Sequence, residues 1–436
     1  MRSLATAFTL LTLAVAPAAA QGLSKAEKTI DRTVDAEFER SVTLLARLVD
    51  QNSGTLNLPG VTRVGEMMRA ELEPLGFTVS WKPMAAVQRA GHLIAVHKGK
   101  PAGKRILLIG HLDTVFELSS PFQKFVRTGD NAEGPGAGDD KGGMVVILSA
   151  LRAMQVAGTL KDANIEIVLT GDEEDAGSPL SISRADLIAA GKRVDVALDF
   201  EGLVIDGGKD MGSIARRSVT DWRITTIGKT GHSSLIFTSD FGDGAINELA
   251  RILAAFRKDL PEPNLTFNAG VIAGGARAEI DDSGNAKAGG KTNIIAATAV
   301  ATGDFRTLSV EQTERVRAKM EAIVAAHAPD TDAKIEFGEG YPAMAPTEGN
   351  KALLAQLNRV NRDLGLEAMA PLDPLKRGAG DVSFVAHDVD SLAGLGTYST
   401  GDHAPGETVD LGSIRRQAKR AAILISRLST GDTARK

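Results

Sequence analysis

The sequence predicts an α/β protein: a three-layer unit on a mainly parallel sheet, interrupted by a smaller α+β unit. Three observations carry this. Ile106-Leu107-Leu108-Ile109 is a continuous apolar run, the pattern of a strand buried on both faces of a parallel sheet. From residue 105 to 200, strand-like and helix-like stretches alternate, as in successive βαβ units. After about residue 211 the order becomes β-α-β-β-α-β, which is ferredoxin-like. A chain of 436 residues is long enough to bury a core in each unit.

The elements follow in order. Arg2 precedes an apolar run over 4–15 that is too short for a membrane span, and Ala18-Ala19-Ala20 supplies a small-residue cleavage site before Gln21. Residues 1–20 therefore read as a secretory signal peptide, and the mature chain as exported, to the periplasm in a bacterium. No cysteine follows the cut and no later stretch reaches 18 apolar residues, so no membrane contact is expected after cleavage. Charged and apolar residues interleave at helical spacing over 25–49, with Phe38, Val42, Leu45 and Leu48 on one stripe, and again over 62–75. Strands are expected at 78–81, 92–97, 105–109, 165–170 and 194–200, and helices at 144–157 and 183–190. The second unit should hold strands at 220–227, 293–305 and 333–337, helices at 245–256 and 310–327, and a hairpin tip between 279 and 291. Beyond Pro342 come a helix at 351–363, an apolar stretch at 389–395 and a last helix at 413–428. The expected division is 21–212 and 343–436 for the α/β unit, with 213–342 inserted.

Composition narrows the chemistry. Fifty basic against 55 acidic residues give a net charge of −5, which offers no electrostatic case for nucleic acid. The absence of cysteine removes disulfides, thiolate metal sites and a cysteine nucleophile. His, carboxylates, hydroxyls and amines remain.

The suspicious clusters lie just after expected strands, where open α/β sheets place their ligands. The strand at 105–109 runs into Gly110-His111-Leu112-Asp113, an imidazole with a carboxylate two residues on that can orient it. Gly134-Pro135-Gly136-Ala137-Gly138-Asp139-Asp140-Lys141-Gly142-Gly143 opens the next helix; Gly142 after the lysine and the glycine spacing exclude both a Walker loop and a dinucleotide fingerprint. What it supplies is a carboxylate on a tight turn. The strand at 165–170 ends in Gly171-Asp172-Glu173-Glu174-Asp175, four acids that repel one another unless a cation or proton offsets them. Glu201 follows the strand at 194–200, and Gly401-Asp402-His403-Ala404-Pro405-Gly406-Glu407 precedes the last helix. A plain or solvated turn accounts for each cluster alone. Together they place two histidines and at least three carboxylates at one sheet edge, a thiol-free set suited to zinc, cobalt or manganese.

In series, HLDTV, GPGAGDDKGG, GDEED, DFE and GDHAPGE resemble the motifs of the dizinc exopeptidase and deacylase family, which includes glutamate carboxypeptidase, aminoacylase and succinyl-diaminopimelate desuccinylase. The resemblance runs over nearly the whole mature chain and is nearest the glutamate carboxypeptidase branch. It implies two zinc ions: His111 and Glu201 on one, Glu174 and His403 on the other, and Asp139 bridging. It implies that Asp113 orients His111, and that Glu173 is the general base deprotonating a bridging water and returning the proton to the leaving amine. Gly228-Lys229-Thr230-Gly231-His232-Ser233 resembles the family turn whose histidine, here His232, donates to the developing oxyanion, often across a dimer interface. Lys291-Thr292-Asn293-Ile294-Ile295 and Asp304-Phe305-Arg306 resemble segments that hold the substrate carboxylate, through Asn293 and Arg306; Ala296 stands where the family usually has proline. Gly378, in Arg377-Gly378-Ala379-Gly380-Asp381, resembles a pocket-lining glycine. Lys209 could meet a second substrate carboxylate or be an ordinary surface lysine. The inserted unit is then a lid and dimerisation domain.

What the resemblance implies is a secreted zinc carboxypeptidase, a homodimer, cleaving an amide next to a free carboxylate in a small peptide or N-acyl amino acid. An N-acyl-amino-acid deacylase or dipeptidase is the alternative on the same fold, and a non-catalytic peptide- or metal-binding protein the alternative of another class. His92, His97, His327 and His387 lack motif partners and read as structural. Trp81 and Trp222 read as core or interface residues.

Overall fold

The computed structural model describes residues 22–100 and 103–430. The proposed signal peptide, 1–20, lies outside the described residues.

The larger unit is built on a six-stranded sheet in the spatial order Thr78–Met84, Arg89–His97, Asn164–Thr170, Arg105–His111, Val196–Asp199, Ser391–Leu392. The first two strands form an antiparallel edge and the other four run parallel. Arg105–His111 is central, and Ile106, Leu107, Leu108 and Ile109 are all fully buried, as the continuous apolar run predicts. Ile106 and Leu108 pack into the core that includes the helices Lys25–Ala36, Phe38–Asp50, Leu58–Leu72, Lys141–Ala157, Glu348–Asp363 and Leu411–Ser429. Leu107 and Ile109 face the opposite layer, with Leu187, Ala190, Val382 and Val385. Three layers result.

Several element ends differ from the sequence reading for local reasons. The stripe over 25–49 is two helices, Lys25–Ala36 and Phe38–Asp50, parted at Glu37. The first carries a full capping box, Ser24 with Glu27. The next helix starts earlier than predicted, at Leu58, because the Asn57 side chain caps it and Pro59 fits its first turn. It ends at Leu72, with Pro74 confined to a short 3₁₀ turn. The strand predicted at 293–305 begins only at Thr298, because backbone groups of 295–297 bond to the loop at 228–245 instead: Ile295 N to Gly231 O at 2.8 Å, Ala245 N to Ala296 O at 3.0 Å. Of the apolar stretch at 389–395, only Ser391–Leu392 joins the sheet. Gly142 and Gly143 open Lys141–Ala157 where a Cβ would lie 2.3 Å from Thr397 Oγ1 and 2.0 Å from Phe200 O, respectively. Only glycine lets this helix start so close to the strand ends.

The inserted unit has four antiparallel strands in the order Thr266–Gly275, Thr298–Arg306, Val219–Gly228, Thr331–Tyr341, which is the ferredoxin-like arrangement. Thr266–Gly275 is the second strand of the predicted β-α-β-β-α-β order, for which the sequence suggested no residue range. The helices Gly244–Asp259 and Val310–Ala325 cover one face, burying Trp222, Ile224 and Phe305 against Leu249, Ile252, Phe256, Val316 and Met320. The hairpin Arg277–Ile280 with Ala286–Gly289 encloses the predicted tip. The two crossings between the units bond to each other, Arg216 N to Met344 O at 3.0 Å and Met344 N to Arg216 O at 2.9 Å. His92 is buried between Ser183 O at 2.7 Å and the donating Gly171 N at 3.1 Å, a structural role. Among the described residues, no helix is long and apolar enough to cross a membrane.

Glu262 ties the inserted unit's second helix to the loop before Thr266–Gly275. It accepts from Gln312 at 2.8 Å, Arg315 at 2.7 Å and Lys319 at 3.3 Å. Arg315 above all holds its carboxyl down at about 2, against an ordinary 4.5. A depressed acid stabilises the fold above its unfolded pKa and loses that contribution as pH falls through the folded value. Glu262→Gln is therefore expected to cost about 1 kcal/mol at pH 7. In urea titrations the gap from the parent should close between pH 4.5 and about 2.

Candidate metal centre and active site

Parallel pairing aligns the chemistry. His111 ends the central strand opposite Thr170, so Glu173 and Glu174 leave the neighbouring strand at the same edge. On the other side Ile109 pairs with Asp199, which places Glu201 just beyond. Asp139 arrives on the glycine-rich turn before Lys141–Ala157, and His403 on the loop before Leu411–Ser429.

The two oxygens of Asp139 face two imidazoles. Oδ1 lies 3.0 Å from His111 Nε2 and Oδ2 lies 3.1 Å from His403 Nε2. His403 Nε2 is also 3.2 Å from Glu174 Oε2. His111, Asp139 and Glu174 each offer a ligand atom within 4.8 Å of the others. Glu174 Oε1 is buried without a hydrogen-bond partner. Glu201 stands differently: its Oε2 is engaged by Arg216 and, at 3.3 Å, by Arg377, while Oε1 is buried and unpartnered.

Supporting groups hold these side chains in place. The Asp113 carboxylate accepts from Thr55 Oγ1 at 2.7 Å, Glu173 N at 3.0 Å and Glu174 N at 3.1 Å, and its Oδ1 lies 3.4 Å from His111 Nδ1. One buried carboxylate thus fixes both the imidazole and the backbone of the two glutamates. The Glu407 carboxylate accepts the N–H groups of Gly136, Gly138 and Asp139 at 3.1, 2.7 and 3.0 Å, pinning the turn that presents Asp139. Glu407 stood in a quoted motif without a role, and only its three donors give it one. Thr55 and Arg216 carry no local signal in the sequence, whereas Arg377 lies in the glycine-containing segment 377–381, and only its pairing with Glu201 gives it a role.

The electrostatics are those of a pocket built around positive charge. Burial pushes Glu173 well above the usual carboxylate range, and the charge of Glu201 adds to this. Burial also raises Glu174. It acts the same way on Asp139, yet the two imidazoles hold that carboxyl well below its ordinary value. Asp139 and then Glu174 push His403 up to about 11. His111 is likewise held high by Asp113 and Asp139 despite its burial. Divalent cations in place of those protons would release both Nε2 lone pairs and satisfy the unpartnered glutamate oxygens, so the donor set fits a two-metal centre.

The other candidate residues lie farther out. Arg306 pairs with Asp304 at 3.0 Å, and its Nη1 would be 3.7 Å from a Cβ at Gly378, so these two meet across the boundary between the units. Arg306 borders a cavity of about 670 Å³ on the inserted sheet, with Asp221, Arg223, Asn268 and Asp304. His232 is exposed, with Nδ1 2.8 Å from Ser234 Oγ. Asn293 is its neighbour through the pairing of their two loops, Ser233 N to Asn293 O at 2.9 Å. Neither is hydrogen-bonded to the cluster around Asp139. Lys209 is exposed and pairs with Glu367 at 3.2 Å.

The profile of Peptidase family M20/M25/M40 matches residues 107–427. The chain is 29% identical over 397 residues to carboxypeptidase G2 of Pseudomonas sp. (strain RS-16), covering 89% of each chain. It is 26% identical over 367 residues to the succinyl-diaminopimelate desuccinylase of Gluconobacter oxydans (strain 621H), covering 80% of this chain and 87% of that one. It shares its fold with the YXEP protein of Bacillus subtilis, described as a dinuclear metal-binding peptidase of the M20 family, at a TM-score of 0.62 and 17% identity, over 91% of this chain and 99% of that one. With the profile spanning every motif from His111 to Glu407, the chain belongs to peptidase family M20/M25/M40, the dizinc exopeptidase and deacylase family its motifs resemble, and is a hydrolase of the metallopeptidase class.

Proposed function

We propose that the chain is a zinc-dependent carboxypeptidase that releases a C-terminal amino acid, glutamate being the first candidate, from a small peptide or N-acyl amino acid. The observation that carries this reading is Asp139 facing two imidazoles at 3.0 and 3.1 Å, with Glu173 on the adjacent strand end. The similarity to carboxypeptidase G2 supports the branch.

His111, Asp139 and Glu201 would hold one ion, and Asp139, Glu174 and His403 the other. Bound zinc polarises the scissile carbonyl and acidifies water, with cobalt or manganese able to do the same. Glu201 would offer its unpartnered Oε1 for this role, since Arg216 and Arg377 already engage Oε2. Asp113 keeps the His111 ring oriented. Glu173 takes a proton from the attacking water and returns it to the leaving amine, so the proton count closes over one turnover. Arg306 and Asn293 hold the substrate carboxylate, Arg306 through its fork, with Gly378 leaving room beside it. His232 donates to the developing oxyanion from a second copy of the chain.

In this reading residues 213–342 are the lid and dimerisation domain on a catalytic domain formed by 21–212 and 343–436. The leader at 1–20 sends the mature chain out of the cytoplasm, to the periplasm in a bacterium. A dimer is supported by apolar side chains left exposed on the lid, Phe237 at 67% and Ile272 at 60%, and by Thr266–Gly275 lying at the sheet edge. The deacylase reading is favoured by the similarity to a desuccinylase, and substrates separate the two.

Four outcomes are expected, and a substrate panel separates the two readings. Glu173→Ala should lower kcat by about 10³ while atomic-emission analysis still finds two metals per chain. Chelation of the parent should abolish hydrolysis, and zinc should restore it. Arg306→Ala should raise KM for N-acyl-glutamates about 10–100-fold, the worth of a charge-assisted bidentate contact. In a panel of N-acyl-glutamates, acetyl-amino acids and dipeptides, a preference for the last two would replace the carboxypeptidase reading. Ile272→Asp should convert a dimer to a monomer in sedimentation analysis, and a parent that sediments as a monomer removes the dimer.

A further inference from the structure

A buried polar chain joins the lid to the segment that carries Glu173. Arg184 is fully buried and all three of its nitrogens are used. Nε donates to Asp381 Oδ1 at 2.8 Å, Nη1 to Asp172 Oδ1 at 2.6 Å, and Nη2 to the Asp172 carbonyl at 3.0 Å and to the Tyr341 hydroxyl at 2.6 Å. Tyr341 in turn donates its hydroxyl proton to the Glu173 carbonyl at 3.1 Å. It is the last residue of the lid strand Thr331–Tyr341, three residues before the Arg216–Met344 bridge at the crossing between the units. Two places earlier on that strand, Glu339 accepts from Ser178 Oγ at 3.1 Å and Leu180 N at 2.9 Å. The segment 172–184 therefore touches the lid strand at both ends, and Glu173 sits inside it.

None of these groups is in the metal-ligand set. Burial, with Asp381 nearby, raises the Tyr341 hydroxyl well above its ordinary pKa, so it stays a donor. Its ring packs edge-on to Phe384 at 4.8 Å and under the Arg184 guanidinium at 5.5 Å, so it is held by more than its hydroxyl. A buried, fully paired arginine between two carboxylates is costly to rearrange, because freeing one partner leaves a buried charge unpaired. This run of bonds therefore ties the lid strand to the backbone of Glu173 through groups that are costly to displace.

Resting on the reading of Glu173 as general base, we propose that Tyr341 is a positioning residue: its hydroxyl, held in place by the Arg184 guanidinium, sets the backbone of Glu173 from the lid, so that lid placement and base placement are one event. The test uses the metal-loaded full chain. Tyr341→Phe keeps the ring and removes one hydroxyl. It should lower kcat about tenfold or more with KM within about threefold, since a misplaced base loses transition-state stabilisation rather than substrate binding. Metal content should stay at the parent value, and amide exchange over 172–184 should accelerate about tenfold.

A kcat within twofold of the parent overturns the proposal, as does metal loss in step with kcat. Phe384→Leu perturbs the same packing without touching the hydroxyl, and should lower Tm while leaving kcat near the parent; an equal fall in kcat there assigns Tyr341 to packing and overturns the proposal. Should Tyr341→Phe fail to fold, Glu339→Ala, at an exposed site, decides: faster exchange over 178–184 and a kcat lowered about threefold support the tie, and no change in either overturns it. If the parent hydrolyses none of the panel, the functional reading fails by itself. Exchange over 172–184 in Tyr341→Phe still reads the tie: acceleration supports it, and parent-like rates overturn it.

Discussion

The carboxylate of Asp139 lies between two imidazoles delivered by opposite ends of the chain, and the rest of the site is arranged to keep it there. Charges of one sign gathered at a buried sheet edge repel, and burial adds to the cost. Glu173, Glu174, Glu201 and Asp139 meet that condition together, and the imidazoles of His111 and His403 offset it by taking up protons. Divalent cations would offset it more completely, which is why this donor set fits a metal centre, as membership of a metallopeptidase family leads one to expect.

Two buried carboxylates do much of the positioning. Asp113 joins the His111 ring to the backbone of Glu173 and Glu174, so that the imidazole and the two glutamates are held as a unit. Glu407 gathers three N–H groups of the turn that ends in Asp139, linking it to the loop of His403 across more than 260 residues of sequence. Each buried charge is satisfied by several donors, the condition under which a buried carboxylate rigidifies a site.

The inserted unit contributes in a different manner. Its sheet carries Arg306 to within reach of Gly378, while Tyr341 and Glu339 grip the segment 172–184. In the proposed reading the lid would therefore meet the reaction centre along two lines: one by way of the substrate's carboxylate, the other through the polypeptide that bears Glu173. The exposed His232 and Asn293 lie together on another part of the lid, in two loops that pair with each other.

What could be seen in the linear sequence was whatever depends on neighbouring residues. The apolar run at 106–109 specified a doubly buried strand, the glycines around Asp139 a close approach, and the acids after 170 an unneutralised charge. The order of elements was enough to separate the two units, although the glycine-rich, largely exposed strand Thr266–Gly275 had no polar/apolar alternation to betray it. The convergence of the motifs at one edge followed from their places after successive parallel strands. Long-range pairing was decided only by the tertiary structure: Glu407 on a turn 270 residues away, Arg216 and Arg377 on Glu201, Arg184 between Asp172 and Asp381, and Lys209 spent on Glu367 at the surface. A charged side chain looks the same in sequence whether it meets water, a ligand or another charge. Its partner is chosen by which backbone segments pack together, and no spacing along the chain records that.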